Sequence, residues 1–185
     1  MSKQLAHLAQ TDESAVYTHL LQSPLTDLYE RGQISTQELH KKFSEIFQVN
    51  PSIEEFKDAL SDIFTTNDEM AALFHELKQN NVTIIALSNT CPAHFEYAIS
   101  HYPILKEFDD FILSYEVGAR KPEEKIFTAA LAKTSSEINL CFYTDDIDEY
   151  VHTARSMGIA SHTFSNVELL KKSLTEHGFL TKHTI

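Results

Sequence analysis

From Asn67 onward, short apolar runs alternate with helical stretches of about ten residues, and few folds tolerate that alternation. Val82 to Leu87 is rich in β-branched residues and reads as a short buried strand. Phe111-Ile112-Leu113, Leu140-Cys141-Phe142-Tyr143 and Ile159 to Phe164 read the same way. Between them, Met70 to Lys78 carries Met70, Leu73, Phe74 and Leu77 on one helical side. Pro92 opens a second helix, and Pro122 sits at a first helical position ahead of Ile126, Phe127, Ala130 and Leu131. Ile147, Val151, Ala154 and Met157 form a further stripe, closed by Gly158. Strands separated by helices of that length pair in parallel, because a parallel neighbour needs a crossover rather than a hairpin. The expectation is an α/β protein with a Rossmann-like parallel sheet covered on both faces.

Up to about residue 66 the texture is different and entirely helical. Ser35-Thr36-Gln37-Glu38 is a capping box, followed by Leu39, Phe43, Ile46 and Phe47 on one face. A second box, Ser52-Ile53-Glu54-Glu55, follows Pro51 and precedes Phe56, Leu60 and Phe64. Residues 1–66 therefore read as a small helical region and 67–185 as the α/β core, with no internal repeat and no long linker.

Charge and composition exclude several functions. Fifteen basic against twenty-seven acidic side chains give a net charge of -12, a field that repels a nucleic-acid backbone. No apolar run approaches the ~20 residues of a membrane-spanning helix, and the first residues lack the apolar stretch of a secretory signal. Cys91 and Cys141 stand far apart with no C-x-x-C pair, which fits a reduced, cytoplasmic protein. The ten histidines show no metal-ligand spacing.

In an open parallel sheet, ligands sit beyond the carboxyl ends of the strands. Ser88-Asn89-Thr90 follows the first strand, Arg120-Lys121-Pro122 follows the second past Gly118, and Thr144-Asp145-Asp146 follows the third. A hydroxyl at a helix start can bind phosphate oxygens, a lysine offsets their charge, and a carboxylate pair suits Mg²⁺, which prefers oxygen ligands. Each piece alone has a plain structural explanation, a helix cap or a solvated acidic pair. Their succession at three strand ends points to phosphoryl chemistry.

The segments Ala86-Leu87-Ser88-Asn89-Thr90, Gly118-Ala119-Arg120-Lys121-Pro122 and Tyr143-Thr144-Asp145-Asp146-Ile147, with Ala154 and Gly158 beyond, resemble the second, third and fourth motifs of the haloacid dehalogenase-like (HAD) hydrolases. More narrowly, they resemble the branch holding small sugar-phosphate phosphatases and the phosphatase domain of soluble epoxide hydrolases. Leu28 to Ser35 resembles that branch's helical cap. The resemblance implies that Ser88 binds the transferring phosphoryl group with Asn89 beside it, and that Lys121 neutralises phosphate and nucleophile. It implies Asp146 as the principal Mg²⁺ ligand with Asp145 in support, and a small phosphorylated metabolite as substrate. One departure is visible: Tyr150 stands where the branch often has Asn.

A second departure matters more. The family's first motif is an apolar strand ending in an aspartate that becomes phosphorylated, and no such strand occurs before residue 81. Cys91, Glu116 and Asp148 lie near the expected site, but none has the setting of a substitute nucleophile. In the family the missing strand lies between the strands ending at Leu87 and Tyr143. Its loss leaves backbone groups without partners at roughly 1–3 kcal/mol each when buried, against a typical net stability of about 5–15 kcal/mol. Either those two strands pair directly, or another chain supplies a strand in a strand-exchanged dimer rather than a monomer, or the natural protein is longer.

The 185 residues are thus expected to be an inactive form of an Mg²⁺-dependent phosphatase. The alternative is a pseudoenzyme that binds a phosphorylated ligand or a protein partner. A receiver-type phosphoacceptor carries its acidic pair first and its lysine last, the wrong order for this chain.

Overall fold

The computed structural model describes residues 1–61, 63–134 and 136–181. The described residues gather into two compact units. One comprises Met1–Thr65, Ser88–Glu107 and Leu113–Arg120; the other comprises Thr66–Leu87, Phe108–Ile112 and the chain from Lys121 onward.

The first unit is helical. Its elements are α1 (Ser2–Leu8), α2 (Glu13–Val16) running into a π turn (Tyr17–Leu21), α3 (Pro24–Glu30), α4 (Thr36–Phe47) and α5 (Ile53–Ser61). Both expected capping boxes form. Ser35 Oγ accepts from Glu38 N–H while Glu38 accepts from Ser35 N–H, and Ser52 and Glu55 repeat the exchange. The amphipathic spacing of α4 and α5 buries Leu39, Phe43, Phe56 and Leu60 in one cluster with Leu5, Val16, Leu20 and Tyr29. After a strand described below, α7 (Pro92–His101) adds Cys91 and Ala93 to the same core.

Tyr29 stitches the early and late parts of this unit together. Its hydroxyl lies 2.7 Å from Thr36 Oγ1 and accepts from the Ala93 N–H at 3.2 Å. Gly32 makes a second close approach: at φ +65° its Cα faces the Tyr115 carbonyl, and any Cβ there would collide with that oxygen.

The second unit carries the strands. α6 (Asp68–Gln79) leads to β1 (Ile85–Ser88), and β2 (Asp110–Leu113) follows a 3₁₀ turn (Pro103–Glu107) and precedes the short α8 (Ser114–Val117), the turn and α8 belonging to the first unit. α9 (Glu124–Lys133), a second 3₁₀ turn (Ile138–Leu140), β3 (Phe142–Asp145), α10 (Asp148–Ser156), β4 (Ala160–Thr163) and α11 (Val167–Glu176) complete the order. β3 and β4 are parallel, with Phe142 opposite Ala160 and Asp145 opposite Thr163, and α10 makes the crossover between them. α6 and α11 share a core of Leu73, Val167, Leu170 and Leu174.

Four differences from the sequence expectation stand out. The strand expected from Leu140 begins at Phe142, because a contiguous apolar run fixes no start; Leu140 lies in the 3₁₀ turn, 61% exposed. The first strand likewise starts only at Ile85. Pro122 does not open a helix: the Lys121–Pro122 peptide is cis, the pair lies in a turn, and α9 starts at Glu124. Ile147 caps α10 as an exposed residue, while Val151 and Ala154 of the same stripe are buried.

The strands also settle one of the options for the missing neighbour. Among the described residues they form two separate ladders, β1 with β2 and β3 with β4, so β1 and β3 do not pair directly. All residues of β1, β3 and β4 are half-buried, not sealed as the inner strands of a doubly covered sheet would be.

Candidate functional site

The end of β3 holds a nearly buried ion pair. Lys121 Nζ donates to Asp145 Oδ2 at 2.7 Å, and the two side chains are only 11% and 10% exposed. The Tyr143 hydroxyl donates to the same oxygen at 2.7 Å, and the Ile147 N–H donates to Oδ1 at 3.0 Å. Burial alone would raise the Asp145 carboxyl, but the hydrogen bonds from Lys121, Tyr143 and Ile147 outweigh it and hold it below its ordinary value. The Tyr143 phenol moves the other way: burial first, and the adjoining carboxylate second, keep it protonated as a donor. Lys121 Nζ also lies 5.2 Å from the centre of the Tyr150 ring.

Alternation along β3 explains part of this. Residues two apart in a strand face the same way, so Tyr143 and Asp145 share a face, and Tyr143 packs edge-on against Phe127 of α9. The sequence carries Tyr143 within the same motif, and its spacing of two from Asp145 is the local signal of this contact. Tyr150 stood out only as a departure from a family pattern. Its contact with Lys121 spans 29 positions and leaves no local signal.

Of the residues expected at the site, the structure brings Lys121 and Asp145 into contact. Asp146 follows at the exposed end of β3. Ser88 ends β1, and Asn89 follows it, both half-buried and both counted with the helical unit. Thr90 behind them is buried and pinned: its N–H donates to Ser114 Oγ at 2.9 Å, and that hydroxyl donates to the Thr90 carbonyl at 2.8 Å. Cys91 is 1% exposed, and burial pushes its thiol up to about 12, which makes it a neutral core residue and no nucleophile. Glu116 is exposed on α8, and Asp148 accepts from Thr163 Oγ1 at 2.7 Å.

Mg²⁺ takes six oxygens, commonly from one or two carboxylates, phosphate and water. Asp146 offers an exposed carboxylate, whereas both Asp145 oxygens are engaged by protein donors. Among the described residues no three His, Cys, Asp or Glu side chains gather as a metal-binding group. Asp146 fits as a carboxylate ligand with Asp145 beside it, and phosphate and water oxygens would fill the remaining positions.

Arg120, next in sequence to Lys121, belongs to a different cluster inside the helical unit. Its guanidinium meets Asp27 at 2.7 Å and Glu30 at 2.8 Å, and Asp27 also accepts from Arg31 at 2.8 Å. The bonds from Arg31 and Arg120 hold the Asp27 carboxyl below its usual range. Burial pushes Glu30 up, against the pull of Arg120.

Comparison with known proteins accounts for the order of these elements. The family model described as haloacid dehalogenase-like hydrolase matches residues 4–164, and the chain belongs to that family. It is 24% identical over 165 residues to drimenol cyclase drtB of Aspergillus calidoustus, covering 84% of this chain but 30% of that protein. The chain thus spans less than a third of that curated relative. Among solved structures it resembles the HAD family enzyme bt-2542 of Bacteroides thetaiotaomicron, with TM-score 0.77 and 22% identity over 91% of this chain and 88% of that one. The same enzyme solved with magnesium and inorganic phosphate matches with TM-score 0.76 and 21% identity over the same shares. A predicted HAD-like hydrolase of Porphyromonas gingivalis matches at 0.73 and 19%, over 94% and 86%. At these identities the likeness to solved structures is one of fold. Among the described residues no helix is long and apolar enough to cross a membrane.

Proposed function

We propose that this chain is an HAD-like Mg²⁺-dependent phosphatase of small phosphorylated metabolites that lacks the aspartate nucleophile, so that its 185 residues do not turn substrate over. The observation that carries the reading is the Lys121–Asp145 pair at the end of β3, a nearly buried ammonium held at 2.7 Å by one carboxylate. In this reading Lys121 offsets the charge of the phosphoryl oxygens, and Ser88 Oγ hydrogen-bonds one of them with Asn89 alongside. Asp145 holds the lysine. Asp146 would be a Mg²⁺ ligand with Asp145 in support, and the metal when bound supplies positive charge to the phosphate. The attacking carboxylate is not among these residues. Residues 1–66 act as the cap and 67–185 as the core, in a reduced cytoplasmic setting. A bacterial enzyme of similar fold, solved with magnesium and inorganic phosphate, supports testing those two ligands first.

The test joins to this chain an apolar strand ending in aspartate and assays a broad panel of phosphate esters with Mg²⁺. Turnover by the joined protein, absent from the 185 residues alone, is the expected result. A joined protein that binds Mg²⁺ yet hydrolyses no ester in the panel would contradict the phosphatase reading.

A pseudoenzyme that binds a phosphorylated ligand or a protein partner is favoured by one observation. The commitment of both Asp145 oxygens to protein donors leaves Asp146 as the exposed carboxylate at that strand end. This second reading predicts thermal stabilisation by phosphate that is indifferent to Mg²⁺.

A further inference from the structure

We propose that Tyr150 is a positioning residue: its ring holds the Lys121 ammonium by a cation–π contact, so that Lys121 is aimed at its anionic ligand by a group that adds no negative charge of its own. The inference rests on the reading of Lys121 as a phosphate-binding residue. It goes beyond that reading by giving a task to a side chain the reading leaves unused.

The geometry supports it in three ways. Lys121 Nζ is 5.2 Å from the Tyr150 ring centre, inside the ~6 Å range of a cation–π contact. The same nitrogen is 2.7 Å from Asp145 Oδ2, so the ring and the carboxylate act on one ammonium. Tyr150 lies in the first turn of α10, where its N–H bonds the Ile147 carbonyl at 3.0 Å, and the next residue, Val151, is fully buried. The ring therefore projects from a fixed backbone.

The chemistry of the ring explains why an aromatic residue suits the place. An aromatic face attracts a cation through its quadrupole and carries no net charge. A carboxylate at position 150 would hold Lys121 more firmly but would add negative charge against an anion. The ring restrains the ammonium without adding any. A polar side chain such as Asn in this position would offer a hydrogen bond but no such face.

The experiment uses the full chain with Tyr150→Phe, Tyr150→Leu and a fluorinated phenylalanine at the same position. Two quantities are read: the mobility of the Lys121 ammonium by nitrogen-15 relaxation without ligand, and the affinity for inorganic phosphate. Tyr150→Phe is expected to match the wild type in both. Tyr150→Leu is expected to free the ammonium and to weaken phosphate binding about three- to tenfold. The fluorinated ring, nearly the same shape but electron-poor, is expected to fall between them, and it decides the matter should the leucine variant fold poorly. An ammonium equally restrained with the fluorinated ring and with phenylalanine would overturn the proposal, as would a phenylalanine variant as loose as the leucine one. If the wild type binds no phosphate, the phosphate-binding reading of Lys121 fails. The ammonium measurement then still decides whether the ring holds the lysine.

Discussion

Arg120 and Lys121 are neighbours in sequence, yet they close two unlike ion clusters in two different units. Arg120 bridges Asp27 and Glu30 among helices, with one acid's pKa lowered and the other's raised. Lys121 meets the Asp145 carboxylate at a strand end, beside two tyrosines. The first cluster has two acids for its one shared cation, plus Arg31 on Asp27, and its geometry joins residues 93 positions apart. That is the arrangement of a structural clamp. The second pairs a nearly buried lysine with Asp145 and places aromatic rings beside both, the setting on which the proposed phosphate-holding role rests. Equal charge and adjacent position do not make equal function; what surrounds each cation does.

Three changes probe that contrast, in falling order of effect. Gly32→Ala should cost the most, about 3 kcal/mol, because it combines a left-handed backbone with a collision against the Tyr115 carbonyl. Denaturant unfolding measures it, and a loss below about 1 kcal/mol would mean the helical unit tolerates a shift of that strap.

Lys121→Ala comes next, at roughly 2 kcal/mol, since it leaves the nearly buried Asp145 without its cation. Arg120→Ala should cost less, about 1 kcal/mol, because Arg120 is 30% exposed and Asp27 keeps Arg31. The reverse ranking would erase the distinction between the two clusters.

The smallest effect is in the pH dependence of the helical clamp. Asp27 has a depressed carboxyl pKa, so its contribution is present above the unfolded value of about 3.9 and is lost as pH falls through the folded one. Glu30 has a raised one, so its contribution is full below about 4.3 and is lost as pH rises through the folded value. The wild type and Asp27→Asn should therefore converge in melting temperature towards acid pH. The wild type and Glu30→Gln should differ more at neutral pH than in acid. Parallel melting curves for all three proteins across that range would show that neither acid is tuned by the cluster.

Much of the fold was legible because its signals are local. The two capping boxes, the apolar faces of α4 and α5, and the alternation of strand and helix after Asn67 are all written within a few residues of where they act. The strand boundaries at Phe142 and Ile85 were not, since a run of apolar residues carries no register. At the site, the meeting of Lys121 with Asp145 follows from their places after successive strands. Tyr143 was within reach through the period of two. The Tyr150 contact and the Arg120–Asp27–Glu30 cluster join residues far apart in sequence, and no spacing rule announces them.

The most direct measurement is the thermal stabilisation of the chain by inorganic phosphate, for the wild type beside Lys121→Ala and Arg120→Ala. The phosphate-holding role predicts a rise in melting temperature that grows with phosphate concentration, about 2.7 kcal/mol of added stability at a hundred times the dissociation constant. The rise should vanish in Lys121→Ala and persist in Arg120→Ala. A wild type that phosphate does not stabilise, or a Lys121→Ala variant stabilised as fully as the wild type, would contradict it.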